Sequence, residues 1–305
     1  MHGQNVFPDK ALRILVGYSA GGGAELMARV IAPQLQLRVG RHVWVDNKPN
    51  NTGARAGEFL SMGLAEGSVV AFMPSTTLAP RLVGTAFPFD ASSQLVPLTM
   101  AGTFQVALAA SPKIGVTTLA DYVGWLKAGS AGRAQLGTTA TDLYLKLYSM
   151  MIGREVGVTL KDLPQRNAAS LVTALKDGTI PAGIGSITTL MQHNFDGKVR
   201  LLATSGAKRT SVLRQVPTVV ELGYPKLELR EWYGFFGSSA SPGPVLAEWN
   251  RQLRGVLADT EVAAALGRFG LDVETSTQEE AVAQVASHLR DWKARMESFG
   301  MKSAD

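Results

Sequence analysis

Residues 12–46 spell out a strand, a glycine-rich turn, a helix and a second strand. A chain that opens this way is directed toward a sheet with parallel neighbours, because two parallel strands need a long return, usually a helix. Leu12 to Val16 (LRILV) is a short apolar run with branched side chains that stops at Gly17, the pattern of a buried strand. From about Ala24, Met27, Val30, Ile31 and Leu35 recur at helix spacing and form one apolar stripe. Pro33 falls inside this helix and is expected to bend or shorten it, since it removes a backbone donor. Gly40 ends the helix, and His42 to Asp46 (HVWVD) is the next strand.

The alternation continues. Strand-like runs follow at Ser68 to Met73, Val106 to Ala110, Gln135 to Thr138 and Val199 to Thr204. Between them, Thr118 to Asp121 has capping-box spacing ahead of Tyr122, Trp125 and Leu126, and Leu171 to Lys176 is a short helix stopped by Gly178. The class is therefore α/β, with mainly parallel sheets expected. The last third differs. Leu246, Trp249, Leu253 and Val256 repeat at helix spacing, as do Val262, Leu266 and Phe269. Thr277 to Glu280 is a capping box opening a helix striped by Val282, Val285, Leu289 and Trp292. These stripes read as core that covers one sheet. At roughly 100–200 residues per domain, 305 residues suggest two domains.

Composition removes several function classes. With no cysteine, the fold has no disulfide and no thiolate metal site. His2, His42, His193 and His288 lie far apart with no metal-binding spacing, so neither a metal nor a cofactor is expected. The net charge is +5, yet the basic residues are scattered. The densest groups, Lys208 and Arg209 with Arg214, and Arg251 with Arg254, are not interleaved with aromatics, so no nucleic acid is expected. A mild positive field does help to draw in anions. No stretch approaches the roughly 18 apolar residues that span a bilayer. Met1-His2-Gly3 looks like a leader joined to a mature start near Val6 or Phe7, with no signal peptide in the chain.

Gly17 to Glu25 (GYSAGGGAE) is the most informative segment, and it supports three readings. As a nucleophile elbow, GYSAG would present Ser19 at a strand-to-helix turn. Against this, the first strand leaves no upstream segment for the usual second oxyanion donor, and no HGGG-like motif exists. His193 lies in a polar, loop-like stretch, and His288 on an amphipathic helix. As a phosphate loop the segment lacks G-K-[ST], and its glycines do not fit G-x-G-x-x-G. As a carboxylate cradle it needs no catalytic partner. A helix N-terminus presents unpaired N–H groups and the positive end of its dipole. Gly21, Gly22 and Gly23 let an anion approach without Cβ atoms in the way, with the hydroxyls of Tyr18 and Ser19 at the rim. The motif alone also leaves open that the glycines only make a tight turn.

Further segments bear a family resemblance. They are Phe7 to Arg13 (FPDKALR), the loop Gly17 to Glu25, Val43 to Gly53 (VWVDNKPNNTG) and Phe87 to Asp90 (FPFD). They continue with Ala203 to Arg209 (ATSGAKR), Val216 to Val219 (VPTV), Leu222-Gly223, Glu231 to Phe235 (EWYGF) and Ser241 to Pro244 (SPGP). In this order and nearly end to end, the chain resembles the Bug (TctC-like) receptors of tripartite tricarboxylate transporters. The resemblance implies a two-lobed periplasmic-binding-protein fold of type II. Two crossover segments are then expected near Leu98 to Ala109 and Leu227 to Ser238. The lobes would be residues 1–104 with 232–305, and 105–231, with ligand between them. It further implies a periplasmic, monomeric, non-enzymatic receptor that binds a small organic carboxylate and delivers it to membrane permease subunits.

The family grips its ligand through loop backbones and hydroxyls. The matching positions are Tyr18, Ser19, Gly21, Gly22, Gly23, Ala24 and Glu25, then Ser75, Thr76 and Thr77, then Thr138, Thr139, Ala140 and Thr141, with Arg166, Gly185 and Ser186 as further candidates. Several of these depart from the family pattern. Glu25 stands where the family often has Asp. Gly137 to Leu143 (GTTATDL) lacks the glycines and histidine of G-N-G-S-x-x-H-L. Leu163 to Asn167 (LPQRN) replaces V-P-Y-K-G, and Gly185-Ser186 replaces an F-D-like pair. Arg166 reads equally as a bidentate partner for a second ligand carboxylate and as a solvated loop arginine. The residues that choose the ligand have diverged, so the class of function is clearer than the ligand. The alternatives are a serine hydrolase acting through Ser19 and a ligand sensor feeding a membrane signalling partner.

Overall fold

The computed structural model describes residues 6–50, 53–63, 67–78, 88–90, 93–129, 132–139 and 143–301. The chain divides into two units, Met1–Thr103 with Glu231–Asp305, and Phe104–Arg230. It passes from one to the other after Thr103 and returns after Arg230.

The first unit is built from β1 (Leu12–Val16), α1 (Gly23–Val39), β2 (Val43–Asn47), α2 (Arg55–Ser61), β3 (Val69–Pro74) and β4 (Leu95–Phe104). The second unit holds β5 (Val106–Ala110), α3 (Leu119–Lys127), β6 (Gln135–Thr139), α4 (Leu143–Val156) and β7 (Lys161–Gln165). It continues through α5 (Ala168–Asp177), β8 (Ala182–Ser186), α6 (Ile187–Phe195) and β9 (Arg200–Thr204). The chain then completes the first unit with β10 (Glu231–Ser238), α7 (Gly243–Leu257), α8 (Thr260–Gly267) and α9 (Gln278–Ser298).

Each unit has its own five-stranded sheet, in the orders β2-β1-β3-β10-β4 and β7-β6-β8-β5-β9. In the first, β1 runs parallel to both neighbours, with Leu12 opposite Val43 and Arg13 opposite Val69. In the second, β6 is likewise parallel to β7 and β8. The sheets are nevertheless mixed, which corrects the expectation of mainly parallel pairing. β10 lies antiparallel to β3, and β5 lies antiparallel to both β8 and β9. Neither β5 nor β10 is reached through a helical return. Only Gln105 separates β4 from β5, and β10 follows the irregular stretch after a short 3-10 turn, Pro225–Leu227. Apolar periodicity identifies a strand but does not report its direction.

Side chains alternate across the first sheet as a period of two requires. Leu15, Val69, Ala71 and Met73 join one core cluster with Ala56 and Leu60 of α2 and with Ala281 and Val285 of α9. The opposite face is covered by α1, which packs against α7 and α8. There Trp249 is fully buried, its indole N–H donates to the Gly67 carbonyl at 2.8 Å, and the Phe7 ring meets it edge-on. The C-terminal helices thus complete the core of the first unit. Helix α1 is not shortened by Pro33 and continues to Gly40, which caps it in the left-handed conformation. Met27, Ile31 and Leu35 are buried while Pro33 is exposed. The carbonyl that loses its donor therefore faces water, and the buried stripe holds the helix together.

Strand β7 (KDLPQ) escapes sequence reading because it is polar and contains Pro164. It sits at a sheet edge, where a missing donor is tolerated. The capping boxes are present as read. Thr118 and Asp121 exchange side-chain bonds with each other's backbone, and so do Thr277 and Glu280.

The N–H and hydroxyl of Thr277 hold Glu280 below its ordinary value. A lowered carboxylate contributes stability above its unfolded pKa and loses it as pH falls through the folded value. Glu280→Gln should therefore flatten the acid limb of stability below about pH 5 while leaving the fold intact at pH 7. Urea unfolding midpoints measured across that range would check this.

Candidate functional site

In the first sheet β1 lies between β2 and β3, so the chain moves to one side of β1 and then back across it. Right-handed connections then put α1 and α2 on opposite faces. Open α/β sheets take ligands at the carboxyl ends of their strands, where the strand order reverses. The second sheet repeats the arrangement, with β6 between β7 and β8. Every candidate segment lies at the carboxyl end of a parallel strand: 18–25 after β1, Ser75 and Thr76 after β3, Thr138 and Thr139 at the end of β6, Arg166 after β7, and Gly185 and Ser186 at the end of β8. Ala140 and Thr141 lie outside the described residues, as does Phe87.

The first unit knits three of these loops together. The Tyr18 hydroxyl shares a hydrogen bond with Thr77 Oγ1 at 3.1 Å, joining the loops after β1 and β3. The Tyr18 carbonyl accepts from Asn47 Nδ2 at 2.8 Å, joining the loop after β2. Gly53 adopts a positive φ of 74°, and a Cβ there would lie 2.5 Å from the Tyr18 ring. A Cβ on Gly17 would fall 1.8 Å from the Gly53 carbonyl oxygen. Only glycine permits this close approach.

Above this floor the glycine run leads into α1. Gly21 has a φ of 81°, and Gly22 is the N-cap in extended conformation with no side-chain cap. The first helical bond runs from the Leu26 N–H to the Gly22 carbonyl. The N–H groups of Gly23, Ala24 and Glu25 therefore have no hydrogen-bond partner among the described residues. Gly21 differs, because its N–H donates to the buried Glu25 carboxylate at 3.1 Å. Glu25 also accepts from Arg29 Nε. Its side chain is thus turned back to brace the loop. Ser19 is exposed.

The remaining candidates divide by whether their side chains are already occupied. Ser75 is buried, its hydroxyl donates to Glu231 and it accepts from the Trp232 N–H. Thr76, the next residue, is half-buried. In the second unit Thr138 is buried and donates to Asp162 at 2.5 Å, whereas Thr139 is half-buried at the strand end. Ser186 caps α6, accepting from the Thr189 N–H at 3.3 Å, and Gly185 is packed against Leu171 and Leu190. Arg166 is exposed, with no ion pair among the described residues.

Sequence reasoning did not single out Asn47, Gly53 or Glu231, and it marked Thr77 only as the end of the Ser75 to Thr77 segment. Asn47 and Gly53 sit inside the VWVDNKPNNTG motif and Glu231 opens EWYGF, so the motifs mark them without disclosing what they touch. His193 also differs from its reading as a loop residue, since it lies on α6 in the second unit. His288 is on α9 of the first unit, its Nε2 3.3 Å from the Glu231 carboxylate. No group of three metal-binding residues is present among the described residues.

Comparisons with known proteins agree with this architecture. The chain is 24% identical over 302 residues to Protein BugT of Bordetella pertussis, covering 98% of this chain and 92% of that protein. Its fold superposes on a Rhodopseudomonas palustris protein, Rpa4515 with adipate, at a TM-score of 0.87, with 20% identity and coverage of 97% of this chain and 99% of that one. MatC of the same organism, with bound malate, gives 0.80 at 17% identity, covering 95% and 99%. The sequence pattern of the tripartite tricarboxylate transporter family receptor matches residues 27–301. The chain belongs to that receptor family.

Proposed function

We propose that this chain is an extracytoplasmic receptor that captures a small carboxylate and passes it to the permease subunits of a tripartite transporter. The observation that carries the proposal is the row of unpartnered amides at Gly23, Ala24 and Glu25, approached over side-chain-free Gly22 and Gly23. These donors are fixed by the sheet and helix before any ligand arrives, so little ordering is required on binding. They are neutral and lie at the positive end of the helix dipole, which suits one carboxylate group. Ser19 and Thr76 are further proposed donors at this edge, and Tyr18 lines it. Thr139 and Arg166 are proposed as ligand-binding donors of the second unit in their own right. A second carboxylate on the ligand would suit a guanidinium, and related folds hold malate and adipate.

Catalysis is not part of the proposal. An elbow serine needs an imidazole within hydrogen-bond reach. Here His288 faces Glu231, and His193 belongs to a helix of the second unit. Serine-directed phosphonate labelling should leave Ser19 unmodified, and stoichiometric labelling there would restore the hydrolase reading.

A thermal-shift and calorimetric screen of C4–C6 mono- and dicarboxylates, malate and adipate included, tests the ligand class. At 100 times its dissociation constant, a bound acid should stabilise the fold by about 2.7 kcal/mol. No shift with any acid, alongside a shift with sugars or other solutes that lack a carboxylate, would reject the carboxylate.

Two substitutions separate site from scaffold. Gly22 has backbone angles open to any residue, and a Cβ there meets the Ser19 carbonyl oxygen at 3.1 Å and the Tyr18 Cβ at 3.9 Å, which a small shift of the loop accommodates. Gly22→Val should thus fold normally while weakening binding tenfold or more, about 1.4 kcal/mol. Thr138→Val should instead cost about 1 kcal/mol of stability through the lost bond to Asp162. Paired calorimetry and urea unfolding would show this crossed pattern.

A further inference from the structure

Glu231 opens β10 and is 1% exposed. Burying a carboxylate is costly unless its oxygens are well bonded. Here they are: the Ser75 hydroxyl and His288 Nε2 face Oε2, the latter at 3.3 Å, and the Trp292 indole N–H donates to Oε1 at 3.2 Å. Ser75 is engaged in turn, since its oxygen also accepts from the Trp232 N–H at 3.2 Å. Its one hydroxyl proton is committed to Glu231. What this pairing fixes is the start of the 3-10 turn Ser75–Thr77, whose last residue bonds the Tyr18 hydroxyl. Tyr18 packs on Gly53 and begins the loop whose glycines lead into the amide cradle.

We infer that Glu231 is the positioning residue of the ligand loop: through Ser75 it sets the turn that holds Tyr18, and so the geometry of the amides from Gly21 to Glu25. The inference rests on the receptor reading above for its functional meaning, while its structural content stands apart. All of these groups belong to the first unit. Two hydrogen bonds, Glu231 to Ser75 and Thr77 to Tyr18, separate the buried carboxylate from the loop. A leucine or methionine would fill the same space with no desolvation to offset, but it would leave Ser75 free to rotate and the turn without its anchor.

The test uses the full chain without ligand first. Amide exchange resolved by NMR would be compared for wild type, Glu231→Gln, Ser75→Ala, the double variant and Thr77→Val. The Leu78 amide, bonded to the Ser75 carbonyl at 3.0 Å, reports the turn, and the bonded amides of Gly21, Gly22 and Leu26 report the cradle. Glu231→Gln and Ser75→Ala should each speed exchange several-fold at both places. The double variant should do no more than either single change, because both cut one path. Thr77→Val should perturb the amides of Gly21, Gly22 and Leu26 and leave Leu78 alone. Amides of residues 104–230 should not respond. If the turn loosens and the cradle does not, or if the two effects add, the positioning role is wrong. Should Glu231→Gln fail to fold, Ser75→Ala and Thr77→Val decide the matter. In a second arm, calorimetry with malate and with adipate should show Glu231→Gln weakening tenfold or more whichever acid the wild type binds, and an unchanged dissociation constant overturns the inference. If the wild type binds neither acid, the ligand proposed for the receptor is at fault, and the exchange arm still decides for or against Glu231.

Discussion

The pairing of β1 with a parallel neighbour on each side governs the rest of the first unit. Once β1 is flanked by β2 and β3, the handedness of the connections sends α1 and α2 to opposite faces. Two consequences follow together. Both faces of the sheet acquire helical cover, which is why Leu15 and Ile14, adjacent in sequence and opposite in direction, are both fully buried. The start of α1, whose first amides have no intrahelical acceptors, is also brought to the carboxyl edge of the sheet. Core and candidate site are thus products of one topological choice, and the second sheet repeats it in β7-β6-β8.

The site built on this edge works through backbone more than side chain. Its floor is a contact between Gly17 and Gly53 too close for any Cβ, with the Tyr18 ring lying against Gly53. The charged residue nearest the loop, Glu25, is turned inward to Gly21 and Arg29. Neutral amides at a helix start suit an anionic group without selecting what that group is attached to. Arg166 and Thr139, the donors proposed in the second unit, lie in segments where this chain departs from the family pattern.

Hydroxyls that look alike in sequence differ sharply in availability. Ser75 and Thr138 are buried and committed to Glu231 and Asp162, while Thr76 and Thr139, one residue on, are half-buried at the same strand ends. At Thr138 and Thr139 the alternation of a strand end decides which hydroxyl turns inward, and at Ser75 and Thr76 the 3-10 turn after β3 does. This pattern assigns neighbouring residues to opposite tasks, one bracing the loop and the other facing outward.

The local physics of this chain is legible in its sequence. The LRILV strand, the Met27, Ile31 and Leu35 stripe, and the Thr118 and Thr277 capping boxes follow from apolar spacing and from hydroxyl and carboxylate reach, interactions within a few residues. The glycine run was legible as a strand-to-helix turn, but its spacing alone did not decide between a nucleophile elbow, a phosphate loop, a carboxylate cradle and a plain tight turn. Strand direction was not legible, since β5 and β10 have the same periodicity whichever way they run. Strand β7 was hidden because its edge position, not its composition, makes KDLPQ acceptable. Pro33 was misjudged because burial of the opposite helix face outweighs one lost hydrogen bond. The partnership of Ser75 with Glu231, 156 residues apart, required the folded molecule. Spacing along the chain specifies what a residue can do with its near neighbours, and only the assembled sheet decides which distant group it meets.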